Sequence, residues 1–163
     1  MSWGKTKDAG AWFKALFAKA ETAVTAGGTG DNTEVTCAWI DRKGFQSLEA
    51  LIAYTATLAG DATLSIKANL QHSDDPNGSN AEDYGTAYPV TVQATGDSGG
   101  STETGVVQLG FDLTMAKRYV SLQFTPDLSR ANTDTAKVVP TYVLGGGIDA
   151  PANAARANLR AVS

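Results

Sequence analysis

The chain has 163 residues, a single cysteine, a single histidine and a formal net charge of −4. One cysteine excludes an internal disulfide and a cysteine-based zinc cluster, and one histidine leaves few ligands for a transition metal. The negative charge opposes general binding to nucleic acid, and no stretch reaches the roughly 18 apolar residues of a membrane span. The composition therefore predicts one soluble domain that has no metal or other cofactor and binds neither nucleic acid nor a membrane.

Residues 1–20 combine aromatic side chains with a net charge of +3. Apolar side chains recur there at a spacing of four residues, which is typical of one face of a helix: Trp12, Leu16 and Ala20, with Phe13 and Phe17. A Gly-rich stretch at residues 27–32 follows. We therefore predict a short helical or extended arm and its linker over residues 1–32, uncoupled from the rest of the chain. The aromatic side chains predicted to contact a neighbouring protein are Trp3, Trp12, Phe13 and Phe17.

From residue 33 onward, apolar and polar residues alternate with period two, as in strands with one buried face. Residues 63–72 are the clearest example, and the pattern recurs at residues 35–39, 48–54, 107–113, 120–124 and 137–144. Turn-rich sequences separate these segments. Because Pro140 cannot donate to a ladder, the last strand is predicted at a sheet edge or a bulge. The pattern predicts an all-β, antiparallel, jelly-roll-like sandwich over residues 33–145 and an extended tail over residues 146–163.

The sequence "GDSGG" at residues 96–100 is the one that surrounds the nucleophilic serine of chymotrypsin-like proteases. A serine nucleophile needs a base within hydrogen-bond reach. His72 is the single histidine, and it lies only 26 residues before Ser98 in a sequence unlike that around a protease base. We therefore interpret "GDSGG" as a surface turn, and we expect His72 to end a strand with its imidazole bonded to backbone. The chain is predicted not to be an enzyme and to have no catalytic residue.

Two further motifs are interpreted structurally. The loop that contains Asp74, Asp75, Glu82 and Asp83 is rich in carboxylates, but the glycine and the final glutamate of an EF-hand calcium loop are missing from it. We interpret it as a solvated acidic loop. Trp39 shares the strand parity of Cys37, so we expect it in the core.

Two segments carry a resemblance to a known family. They are "IDRKGFQSLEALIAYTATLAGDATLSIKANLQHSDD" at residues 40–75 and "MAKRYVSLQFTP" at residues 115–126. The region of roughly residues 38–125 resembles small head proteins of tailed bacteriophages, the capsid decoration or cement proteins. The resemblance implies a β-sandwich that oligomerises, often as a homotrimer, on the outside of the capsid. It implies no catalytic residues.

On this resemblance we expect a structural virion protein that binds the major capsid protein on the capsid surface and stabilises contacts between its subunits. Lysines interrupt the apolar segment that a signal peptide would need, so we expect synthesis in the host cytoplasm. Further candidate contact residues are Arg42, Lys43, Phe45 and Arg118, although the three charged ones could equally be solvated. The alternatives are a tail-tube, head-completion or fibre-base component, or a carbohydrate-binding jelly roll that uses Tyr54, Tyr84 and Tyr88.

Overall fold

A computed structural model describes residues 13–129 and 133–147 of the chain. This part of the chain contains ten β-strands and no helix, and therefore no helix that could span a membrane. The strands are β1 Lys14–Phe17, β2 Thr22–Thr25, β3 Val35–Thr36, β4 Ile40–Asp41, β5 Ser47–Leu58, β6 Thr63–Ser73, β7 Glu82–Thr95, β8 Ser101–Asp112, β9 Tyr119–Leu128 and β10 Thr135–Gly145.

The strands form two antiparallel sheets. Strands β1 and β2 both pair with the same side of β10, and β3 and β4 both pair with the same side of β9, so each pair acts as one interrupted strand. The first sheet has the order β1/β2, β10, β5, β8, and the second has the order β3/β4, β9, β6, β7. Two four-stranded sheets that exchange strands in this order form a jelly roll. The predicted fold class, an all-β antiparallel sandwich, is confirmed.

The core lies between the two sheets and follows the predicted alternation. The inward side chains of β5, β6 and β9 are fully or almost fully buried: Leu48, Ala50 and Ile52; Leu64, Ile66, Ala68 and Leu70; Val120, Leu122 and Phe124. Period two puts every second side chain on one face of a strand, and burial of that face is the main energy that holds the sheets together.

The N-terminal segment differs from the helical interpretation. Residues 14–17 form strand β1, and the helical expectation is wrong for them. A spacing of four is even, so it also keeps residues on one face of a strand. In the strand, Leu16 packs on the core while Phe17 projects to solvent.

The segment that follows β1 also belongs to the sandwich. Ala18, Val24 and Ala26 are buried in the core, because β1 and β2 add to the sheet beside β10. The chain is therefore not uncoupled from the sandwich between residues 14 and 26. Residues 1–12 and 148–163, which include Trp3, Trp12 and most of the predicted tail, lie outside the described residues.

Strand β10 lies inside the first sheet rather than at its edge, which corrects the prediction from Pro140. Strand β5 pairs with one side of β10 along its whole length. On the other side, β1 pairing ends at Thr141 and β2 pairing begins at Val138. The break between β1 and β2 therefore faces Val139 and Pro140. A proline is tolerated there because no neighbouring strand needs its missing N–H.

A second break separates β3 from β4 and changes the position of Trp39. Alternation stops at residues 37–39, so Ile40 is buried, while Trp39 is half-buried with its indole against Gly78. The expectation that Trp39 lies in the core is therefore wrong. At this break the buried Tyr142 hydroxyl bonds to two backbone groups. It accepts from the Leu122 N–H at 2.8 Å and donates to the Ala38 carbonyl at 3.3 Å. Burial raises the pKa of Tyr142.

Candidate functional site

The outer surface of the first sheet has an apolar centre. Outward side chains of β10, β5 and β8 stand side by side in the row Val139, Ala53 and Val106. The next row places Leu51 beside Thr141, which is paired with Phe17 of β1. We call this surface the apolar face and define it by Phe13, Phe17, Leu51, Ala53, Val106, Val139 and Val143.

Side chains of the apolar face are strongly exposed. Phe17 is 69% exposed, Val106 60%, Phe13 50% and Val139 38%. A strand spacing of about 4.8 Å and a rise of about 3.4 Å per residue give the face an area of roughly 400 Å². Contiguous apolar patches of this size on a single chain mark binding surfaces more often than isolated exposed side chains do.

Polar side chains surround the apolar face. On one side Lys137 forms a 3.2 Å ion pair with Glu21, beyond which the four strands present threonines. On the other side the Gln108 amide donates to Glu49. An apolar centre with a hydrogen-bonding rim is the arrangement found in protein interfaces.

Phe13 covers one corner of this surface. Its ring lies over Gly145, where a Cβ atom would lie only 3.1 Å from the Phe13 ring. A shallow groove of about 410 Å³ runs beside it, bounded also by Glu49, Phe111 and Val143. Gly145 therefore makes room for the aromatic side chain at the end of β10.

The outer surface of the second sheet is polar around β6 and β9, whereas its edge strand β7 exposes Val90 and Val92. Its outward side chains bond to one another: the Asn69 amide donates to Asp83 at 3.0 Å and to Gln123 at 3.1 Å, and the Gln71 amide donates to Asp83 at 3.3 Å. We call the polar part of this surface the polar face and define it by Lys67, Asn69, Gln71, Asp83, Gln123 and Thr125. Its hydrogen-bonding groups are largely occupied within the chain.

The predicted contact residues of the "DRKGF" turn serve mainly the fold. The Arg42 guanidinium donates to the carbonyls of Lys117, at 3.0 Å, and of Ala116, which ties this turn to the loop between β8 and β9. Phe45 packs against the core. Gly44 has a φ of 85°, as a tight turn with glycine at this position requires. Lys43 is exposed.

Arg118 is also engaged within the chain. Its guanidinium forms a bidentate pair with Asp41, with a shortest N–O distance of 2.8 Å, and it lies 5.3 Å from the centre of the Tyr119 ring. This hydrogen bond holds the pKa of Asp41 below its usual value. The neighbouring Met115 is 83% exposed and was not among the predicted contact residues. One methionine between turn residues gives no periodic signal by which sequence could identify it.

The three tyrosines considered for sugar binding pack against the core. Their hydroxyls donate to backbone carbonyls of the opposite sheet: Tyr54 to Gln93 at 2.8 Å, Tyr84 to Asp112 at 2.7 Å and Tyr88 to Gly110 at 2.8 Å. Both the rings and the hydroxyls are therefore used to hold the two sheets together.

His72 and Ser98 lie at opposite ends of the sandwich. His72 pairs with Glu82 at one end of β6, whereas Ser98 follows β7 near Thr63, the other end. Nine residues of strand separate these ends by about 30 Å. The Nδ1 atom of His72 accepts the Lys117 N–H at 3.2 Å, so the imidazole is bonded to backbone as expected.

No family model matches this sequence, and no curated protein matches it. Solved structures with a similar fold include that of the infectious bursal disease virus Gx strain, with a TM-score of 0.45 and 12% identity over 84% of this chain and 33% of that one. The VP2 subviral particle of the same virus gives 0.41 and 10% over 83% and 32%. Dimeric latent PorU from Porphyromonas gingivalis gives 0.44 and 9% over 83% and 13%. The chain thus spans a third or less of each of these chains.

Proposed function

We propose that this chain is a structural protein of a virus particle: a decoration protein that binds the outside of a phage head and bridges neighbouring major capsid subunits. The observation that carries the proposal is the polar-rimmed apolar face on a jelly roll, a fold that recurs in capsid, lectin and cupin domains. Burial in the core does not require apolar side chains on an outer sheet face, so a partner protein is their natural use. The proposed role needs no catalysis and no cofactor.

The size of the apolar face sets how such a protein would attach. Burying roughly 400 Å² of apolar surface is worth about 10 kcal/mol at about 25 cal/mol per Å². Losing the freedom of an independent molecule costs roughly 4–15 kcal/mol. One copy would therefore bind weakly. A homotrimer would present three such faces at once, and multivalency would convert weak contacts into firm attachment.

The test is co-sedimentation of the purified chain with phage shells that lack it. We expect the chain to sediment with the shells at a ratio that follows the number of capsomers, and a variant with aspartates on the apolar face to stay in solution. A few copies per particle would point to the tail or neck instead. An absence of binding to shells at micromolar concentration would contradict the proposal.

A further inference from the structure

Strand β8 ends the first sheet, and half of its outer edge is open. Its register with β5 is continuous over all twelve residues. In antiparallel pairs, alternate residues direct their N–H and C=O groups toward the partner strand or away from it. The Leu113 N–H donates to Gln46, next to β5, so odd-numbered residues here point toward β5.

Even-numbered residues of β8 consequently point away from β5. At one end of the strand the fold covers them, because the Tyr84 and Tyr88 hydroxyls bond the carbonyls of Asp112 and Gly110. At the other end four residues direct their backbone groups outward and are exposed: Thr102, Thr104, Val106 and Gln108.

Proteins usually protect such an edge with proline, lysine, a bulge or a very short strand. Strand β7, the edge of the second sheet, has Pro89 and three register shifts against β6. The edges at the other side of the sandwich consist of strands of two to four residues. Within β8 there is no proline, lysine, arginine or register shift, and the one charged residue of its open half is Glu103. Among the described strands, β8 is the long regular edge without a proline, a basic side chain or a bulge.

We propose that β8 pairs antiparallel with β8 of a second copy of this chain. If Gly105 lies on the two-fold axis, Thr104 faces Val106 of the other copy and Thr102 faces Gln108. All four outward-directed residues of each strand then meet outward-directed residues of the other, as a hydrogen-bonded antiparallel ladder requires. Glu103 faces Val107, so no like charges stand opposite each other. The edge is thus complementary to itself.

The pairing extends the first sheet to eight strands across two copies. Val106 lies at the edge of the apolar face, so the two apolar faces would adjoin on one side of the extended sheet. Their combined area would be roughly 800 Å², double the estimate from strand spacing and rise. The pairing depends only on the geometry of the β8 edge and not on the proposed function.

The test uses Thr104→Pro, with Thr104→Ala as the matched control. The Thr104 N–H points away from β5, so proline removes a donor from the edge and no hydrogen bond from the fold. Because a two-fold contact joins copies in pairs, we expect parent and Thr104→Ala to sediment with twice the mass of Thr104→Pro at tens of micromolar. Equal masses for all three proteins would overturn the inference. Val106→Lys, which adds a charge beside the two-fold axis, serves the same purpose should the proline variant not fold.

Hydrogen exchange identifies the strand that pairs. In the parent, the amides of Thr104 and Val106 should exchange at least tenfold more slowly at high than at low protein concentration, while Gly105 and Val107, bonded to β5, stay protected throughout. Fast exchange of Thr104 and Val106 at the highest concentration would refute the pairing. Protection that appears only when phage shells are added would assign this edge to a capsid partner and would equally refute pairing with a second copy. Shell binding by Thr104→Pro, whose apolar face is intact, tests the proposed function separately.

Discussion

The two outer faces of this sandwich differ, although the inner faces of both sheets follow one rule. On the first sheet, Phe17, Val106 and Val139 project into solvent. On the second, Asn69 and Gln123 occupy the corresponding outward positions and bond to each other. Folding requires only that the inward side chains be apolar. Burial in the core therefore does not determine the outward residues, and the exposed apolar side chains of the first sheet are the reason why we propose that this sheet docks on a partner.

The largest expected effect is on the apolar face. Phe17→Asp with Val139→Asp places two carboxylates where apolar surface would be buried, and we expect affinity for shells to fall at least a hundredfold, about 2.7 kcal/mol. The matched control is Lys67→Gln with Thr125→Asp on the polar face, which changes the net charge by the same amount and should alter affinity less than threefold. Quantitative co-sedimentation measures both. Similar losses in the two variants would remove the distinction between the faces.

A second prediction concerns the core, where a substitution should change stability without changing shell binding. Tyr142→Phe deletes the hydroxyl that accepts from the Leu122 N–H and donates to the Ala38 carbonyl, leaving the buried Leu122 N–H without that partner. We expect the free energy of unfolding to fall by about 1–3 kcal/mol in chemical denaturation. Shell binding at room temperature should stay within twofold of the parent, because neither face changes. Loss of binding with unchanged stability would contradict this division between core and surface.

The buried residues between the two sheets could be predicted from sequence, whereas the apolar face on the outside of the first sheet could not. Period-two alternation in β5, β6 and β9 identified buried residues such as Ile52, Leu70 and Leu122, because burial selects apolar side chains locally along each strand. The apolar face depends on which strands are neighbours. Leu51 and Val106 have the parity of outward residues in their strands, and only the pairing of β5 with β8 and β10 brings them together.

A local sequence pattern also could not predict the breaks between β1 and β2 and between β3 and β4. The spacing of Leu16 from its apolar neighbours suits a helix and a strand equally, so only pairing with β10 decides between them. Pro140 correctly indicated a missing ladder bond, but the bond is missing at the break between β1 and β2 rather than at a sheet edge. Phe13 and Phe17 were predicted contact residues and lie on the apolar face; contact itself stays a prediction. Arg42 was predicted as a contact residue from its place in the "DRKGF" turn, which carries no information about its internal carbonyl partners.

A smaller effect is expected at the turn cluster, which belongs to neither face. The Arg118 guanidinium lowers the pKa of Asp41 in the folded chain, so the pair stabilises the fold above the unfolded pKa near 3.8 and loses that contribution as pH falls through the lower folded value. The pair is partly exposed, so Asp41→Asn should cost less than about 1 kcal/mol at pH 7. Denaturation at pH 7 and again below pH 3 should show the difference between variant and parent shrink toward zero. A difference that grows in acid would contradict the assigned role.

The last prediction is that a substitution at Ser98 has no measurable effect. A serine hydroxyl becomes nucleophilic at neutral pH only with a base in hydrogen-bond reach, and His72 lies at the far end of β6, about 30 Å away by the strand rise. The turn has a structural reason for its glycines: Gly100 has a φ of 86°, and a Cβ on Gly96 would lie 2.3 Å from the Ala59 carbonyl. We therefore expect Ser98→Ala to match the parent in peptide and ester hydrolysis, in thermal stability and in shell binding. Gly96→Ala, in contrast, should lower stability measurably, because its new methyl group meets backbone that cannot move aside. Hydrolysis by the parent that disappears in Ser98→Ala would show that "GDSGG" is a catalytic motif rather than a structural turn.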